Sequence, residues 1–118
     1  MGTSLKAEEI ARLAVRVAAE KQASNIVMLD VRGLCSFADY FVVCSVDSKR
    51  HVEAVWHGVI GEGKKEGVIS RHREGSPESG WMLADFGSVI VHVFAQPERA
   101  YYQLDELWDQ AIPVLRIQ

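Results

Sequence analysis

None of the chain's 16 acidic residues has another acidic residue two positions further on. Two-metal nucleotidyl transfer needs carboxylates two apart on a strand, where both project to the same side and hold both ions. Their absence argues strongly against such an enzyme. Cysteine is scarce as well: Cys35 and Cys44 stand nine apart with no Cys-x-x-Cys. That usage points to free, mostly buried thiols in a reducing, intracellular compartment. Positive charge is in deficit, with 13 Lys and Arg giving a formal net charge of -3 and a pI near 5.8. A uniform positive field for nucleic acid is therefore missing, and direct DNA or RNA binding is not expected. No apolar run reaches the roughly 18 residues of a membrane span. Glu8, Glu9 and Glu20 crowd an N-terminus that has neither an apolar secretory segment nor an acid-poor presequence.

Phosphate-cradling and metal motifs are also lacking. The junction Ser45-Val46-Asp47-Ser48 contains no glycine, and Asp47 would repel phosphate. His51 and His57 are six apart on a helical stretch and fall on different faces, while His72 and His92 lie on separate strands. No pair has metal-ligand spacing, so neither a metal nor a cofactor is expected. Cys44, within YFVVCS, has nothing nearby in sequence to raise its thiolate fraction and reads as an inert core thiol. His92, within VIVHVF, reads as a hydrogen-bonded core residue.

What is present is material for one core: 118 residues, 48% of them hydrophobic, predict a single domain over residues 1–118. Residues 80–108, GWMLADFGSVIVHVFAQPERAYYQLDELW, hold the longest apolar run and most of the tryptophan and tyrosine. Strands are predicted at 81–86 and 88–95, joined at Gly87, which can take the positive φ of a tight turn. In the second of these, Val89, Val91 and Val93 face one way and Ile90, His92 and Phe94 the other. A strand apolar on both faces is central. Pro97 ends it, and Tyr101, Leu104, Leu107 and Trp108 follow at helical spacing.

Along the rest of the chain, Ile10, Leu13, Ala14, Val17 and Ala18 make residues 5–21 an amphipathic helix. Strands are predicted at 26–31 and 40–45. Val52, Val55, Trp56, Val59 and Ile60 mark a second helix, capped by Asp47 or Ser48 and stopped at Gly67. Gly58, Gly61 and Gly63 predict fraying of its last turns. Residues 68–73 suit a charged edge strand and 74–80 a mobile loop. Pro113 ends the last helix, leaving an apolar tail, IPVLRIQ, free to pack back or to find a partner. The order is α-β-β-α-β-β-β-α, an α/β or α+β domain with a mixed five-stranded sheet covered by helices.

The unusual feature is the aromatic and acidic material at the hairpin and after it. Leu107 and Trp108 read as core, as aromatic stripes at helical spacing usually do. Trp81, Tyr101 and Tyr102 read as interface residues: Trp81 stands where a loop enters a strand, and adjacent tyrosines cannot both point inward from one short helix. Trp and Tyr are enriched at binding hot spots, and the carboxylates Glu98, Asp105, Glu106 and Asp109 would form a rim suited to a basic protein.

These residues resemble the ribosomal silencing factors, also called Iojap-like proteins. The carriers are IVMLDVRGL from Ile26, SFADYFVVCS from Ser36, SKRHVEAV from Ser48, the Glu74-Gly75 pair, and GWMLADFGSVIVHVF followed by ERAYYQLDELW. One departure is Val46-Asp47 after Ser45, where the family carries Gly followed by Thr or another small residue. The resemblance implies a nucleotidyltransferase-like fold without catalytic carboxylates and a non-enzymatic role in the bacterial cytoplasm. It implies docking on the large ribosomal subunit through that subunit's fourteenth protein, which blocks joining with the small subunit and represses translation, with a possible part in large-subunit assembly. It also implies a homodimer in the free state. The contact surface so implied comprises Trp81, Met82, Leu83, Asp85 and Phe86 of the hairpin and Tyr102, Leu104 and Glu106 after it. The alternative is a nucleotide-binding or nucleotidyltransferase enzyme on the same fold.

Overall fold

The structure is a computed structural model that describes residues 5–102 and 110–117, with the side chains of 100–102 outside the description. Its elements in chain order are α1 (Ala7–Glu20), β1 (Ser24–Asp30), β2 (Tyr40–Val46), α2 (Lys49–Lys65), β3 (His72–Ser76), β4 (Trp81–Asp85), β5 (Val89–Ala95), α3 (Gln96–Tyr102) and β6 (Ile112–Ile117). The strands form one sheet in the order β3-β4-β5-β2-β1-β6. Only the central pair, β2 and β5, is parallel; every other neighbour is antiparallel. This is the mixed α+β class expected, with both central strands buried along their whole length.

Local chemistry explains the elements. In α1 the Glu9 carboxylate accepts from the Lys6 backbone N–H at 2.8 Å, and Glu8 and Glu9 place negative charge at the positive end of the helix dipole. Ser48, one of the two expected caps, accepts from the His51 N–H at 3.1 Å to start α2. Gly67, at φ 82, follows its end. The helix runs unbroken through its glycines, contrary to the expected fraying. Two of them are contact points: a Cβ on Gly58 would meet Val17 at 3.1 Å, and one on Gly63 would meet the Val68 carbonyl at 3.2 Å and the Phe86 ring at 3.4 Å. Close packing against α1 and Phe86 offsets the propensity cost of glycine, about 1 kcal/mol each.

The sheet has two unlike faces. α1 lies across β1 and β2, and α2 across β4 and β5. Beneath them lie Ile26, Met28, Val42, Cys44, Met82, Ala84, Phe86, Val89, Val91 and Val93. The opposite face carries a smaller apolar group of Val27, Leu29, Val31, Phe41 and Ile90, with Leu83 partly buried at its border. The strict alternation along β4 and β5 assigns each residue to one side.

Three expectations are corrected. The sheet has six strands and not five, because the apolar tail packs back as β6, antiparallel to β1, with Met28 opposite Leu115 and Leu29 opposite Pro113. Pro113 therefore lies inside an edge strand, where a missing N–H is tolerated. The edge strand expected at 68–73 is β3 at His72–Ser76, and the supposed mobile loop shrinks to the turn between Ser76 and Trp81. Ser76 and Ser79 close that turn by reciprocal hydrogen bonds, Ser76 N to Ser79 Oγ at 3.3 Å and Ser79 N to Ser76 Oγ at 3.2 Å. The backbone of α3 extends to Tyr102; Leu104, Glu106, Leu107 and Trp108 lie outside the described residues.

Candidate docking face on the hairpin

The β4–β5 hairpin pairs Trp81 with Phe94, Leu83 with His92 and Asp85 with Ile90. Gly87, at φ 92, turns the chain, and the Asp85 carboxylate accepts from its N–H at 2.7 Å. Phe86 N–H donates to the Val89 carbonyl at 2.8 Å and closes the turn. Asp85 is therefore part of the turn's own scaffold, and its position beside Gly87 explains why the hairpin forms here.

The expected contact residues divide between the two faces. Met82 and Phe86 are buried under α2, with Phe86 against Gly63. Trp81, Leu83 and Asp85 are half-buried and belong to the opposite face. Trp81 is neither fully core nor fully surface. Its ring stacks on Phe94 at 6.3 Å and on His92 at 6.4 Å between centroids, and its indole N–H donates to His92 Nδ1 at 3.4 Å. Phe41 meets His92 edge-on at 5.3 Å, and Phe37 lies 6.4 Å from Phe41. An aromatic row thus runs from Phe37 through Phe41 and His92 to Trp81 and Phe94. Phe37, 61% exposed, was not singled out from sequence. The available signal was a large aromatic in a turn-rich stretch, four residues before Phe41.

His92 is 7% exposed. The hydrogen-bonded core residue expected is half realised: Nδ1 accepts from Trp81, while buried Nε2 has no partner among the described residues. Since Nδ1 accepts, Nε2 carries the proton of the neutral ring. Burial pushes its pKa down to about 4, so the ring is neutral at pH 7.

The other candidates for chemistry have structural positions. Burial pushes the Cys44 thiol up to about 12, which removes it as a nucleophile at neutral pH. His51 Nε2 lies 2.6 Å from the Lys21 carbonyl, His57 packs edge-on against Trp56 at 4.9 Å, and His72 faces Glu74 at 3.3 Å. Among the described residues no three His, Cys, Asp or Glu side chains are grouped to hold a metal ion. Arg32 clamps Asp30 with two bonds, at 3.0 and 2.7 Å, and holds its carboxyl below the usual range.

Fold and site together define a mixed-sheet domain with one helix-covered face and one face presenting an aromatic row. A sequence model of the family described as "ribosomal silencing factor during starvation" matches residues 4–118, and the chain belongs to that family. The ribosomal silencing factor RsfS of Halalkalibacterium halodurans is 36% identical over 104 residues, covering 88% of this chain and 89% of the relative. That of Bacillus subtilis is 36% identical over 104 residues, with 88% of each chain covered. The crystal structure of a Chromobacterium violaceum protein superposes with a TM-score of 0.86 at 32% identity, covering 89% of this chain and 88% of that one.

Proposed function

We propose that this chain is a ribosomal silencing factor acting as a non-enzymatic docking module. The residues 1–118 function as one domain. It binds the large ribosomal subunit through that subunit's fourteenth protein and prevents joining with the small subunit by occupying the joining face. Family membership supports the ribosomal role, and the relatives' name supplies the silencing. The observation that carries the site is the half-buried pair Trp81 and Leu83 on the face not covered by α1 and α2. Trp81 is the anchor: a large ring held in place by His92 and Phe94 loses little side-chain entropy on docking. Met82 and Phe86 act from beneath, fixing β4 against α2, and Asp85 fixes the turn. Tyr102, Leu104 and Glu106, in the segment that follows in sequence, are the further contact residues of this reading. A net charge of -3 favours a basic protein surface over bare phosphate. The free protein is a homodimer in the bacterial cytoplasm, and a part in large-subunit assembly is compatible with the same contact.

The test is sedimentation with purified large and small subunits. Co-sedimentation with the large subunit alone, weakened by salt and unchanged by nuclease trimming of exposed RNA, is the expected result. Equal affinity for naked ribosomal RNA or for the small subunit rejects the reading.

A further inference from the structure

His92 stands in the middle of β5 with apolar residues on every described side. Val43 of β2 and Leu83 of β4 lie directly opposite it in the two neighbouring ladders. Ile90 and Phe94 precede and follow it on the same face, and Phe41 meets its ring edge-on at 5.3 Å. None of these side chains can accept a hydrogen bond, and buried Nε2 has no partner among the described residues. A phenyl ring here would meet the same neighbours with no polar atom to desolvate. Packing therefore does not account for a histidine at this position.

What the imidazole supplies and a phenyl ring lacks is an acceptor for Trp81. The two residues are diagonal neighbours across the β4–β5 ladder, since Trp81 is opposite Phe94 and Leu83 opposite His92. Stacking on His92 and Phe94, with ring planes 19° and 24° apart, is compatible with more than one χ2 orientation of an indole, whose χ2 wells are broad. The 3.4 Å bond from the indole N–H to Nδ1 selects one of them. We propose that His92 is a positioning residue for docking, a role that rests on the docking reading of this face: its Nδ1 holds the Trp81 indole in the orientation that meets the partner, at a cost in folding stability that a phenyl ring would avoid. Its own ring touches no partner, and its contribution passes through Trp81.

The test compares the parent with His92→Phe, His92→Gln, Trp81→Phe and the double variant His92→Phe/Trp81→Phe. In the free chain, His92→Phe is expected to raise the urea midpoint and to shift the Trp81 indole N–H resonance, assigned by its loss in Trp81→Phe. Binding to purified large subunits should weaken by about tenfold, the upper range for one net hydrogen bond, and His92→Gln, which keeps an acceptor, should recover most of that loss. With the indole N–H already gone in Trp81→Phe, adding His92→Phe should change affinity by less than about twofold. An unmoved indole resonance, a lowered urea midpoint, parental affinity in His92→Phe, or an equal loss in both Trp81 backgrounds overturns the proposal. Should His92→Phe fail to fold, His92→Leu takes its place with the same expectations. Should Trp81→Phe bind too weakly to measure, His92→Gln decides, and no recovery in that variant overturns the role. A parent chain that binds no large subunit fails the docking reading itself, while the urea and indole measurements still decide whether His92 sets Trp81.

Discussion

Two tryptophans flank β4 from opposite sides, and both aim the indole N–H back at the sheet. Trp56, on α2, is 6% exposed and donates to the Leu83 carbonyl at 3.1 Å, with the Arg73 guanidinium 5.5 Å from its ring centre. Trp81, on β4 itself, is half-buried and donates at 3.4 Å to His92, a side-chain acceptor. The first is bonded to backbone that the ladder already holds in place. The second rests on aromatic neighbours whose hydrogen bonding is incomplete, because His92 Nε2 is unpartnered among the described residues. Equal residue types thus sit in unequal surroundings: Trp56 is buried under the helix-covered face, and Trp81 is half-buried on the aromatic face.

Breaking the helix-covered side should have the largest effect. Trp56→Ala removes a buried ring and its hydrogen bond to the Leu83 carbonyl, and a loss of about 3 to 5 kcal/mol in urea unfolding is expected. A loss under about 1 kcal/mol would erase the distinction between the faces. Acid probes the other side. Below its ordinary value near 6.5 the unfolded chain protonates at His92, whereas the folded chain does so only near 4. Stability should therefore fall as pH drops from about 6.5 to about 4, by up to about 3 kcal/mol from this residue, and level off below. Urea unfolding of the parent and His92→Phe across that window isolates the effect as the difference between their slopes; identical slopes would mean that His92 is not desolvated. Trp81→Ala sharpens the comparison most directly. Its folding cost should be smaller than that of Trp56→Ala, about 0.5 to 2 kcal/mol, while large-subunit binding weakens by about 2 kcal/mol, roughly thirtyfold. A variant that melts as early as Trp56→Ala, or that binds as the parent does, defeats the anchor role.

The hairpin was readable in advance because its signals are local. Gly87 between two β-rich runs, and apolar character on both faces of VIVHVF, need no knowledge of the rest of the chain. The tail was not readable as a strand, because IPVLRI has no period of its own strong enough to declare one and carries Pro113. It becomes β6 only where β1 offers an unpaired edge. Strand β3, HREGS, likewise has almost no apolar content and is held by the ladder to β4. The glycines of α2 were misjudged for the same reason, since propensity is local and the contacts at Gly58 and Gly63 are not.

The same division holds for the site. Sequence alone determined that Trp81, Leu83 and Asp85 alternate with Met82 and Phe86, because successive strand residues point to opposite faces. Which of the two faces α2 would cover was decided only when the helix packed, and that packing placed Met82 and Phe86 under it and left Trp81 and Leu83 half-buried on the other face. Sequence also separates Ser24, Ser45 and Arg99 widely along the chain. Their meeting in one pocket follows from two long-range pairings, the antiparallel one that sets Ser24 opposite Ser45 and the parallel one of β2 with β5, whose free energy comes from burying the strands together and from no feature of any segment alone.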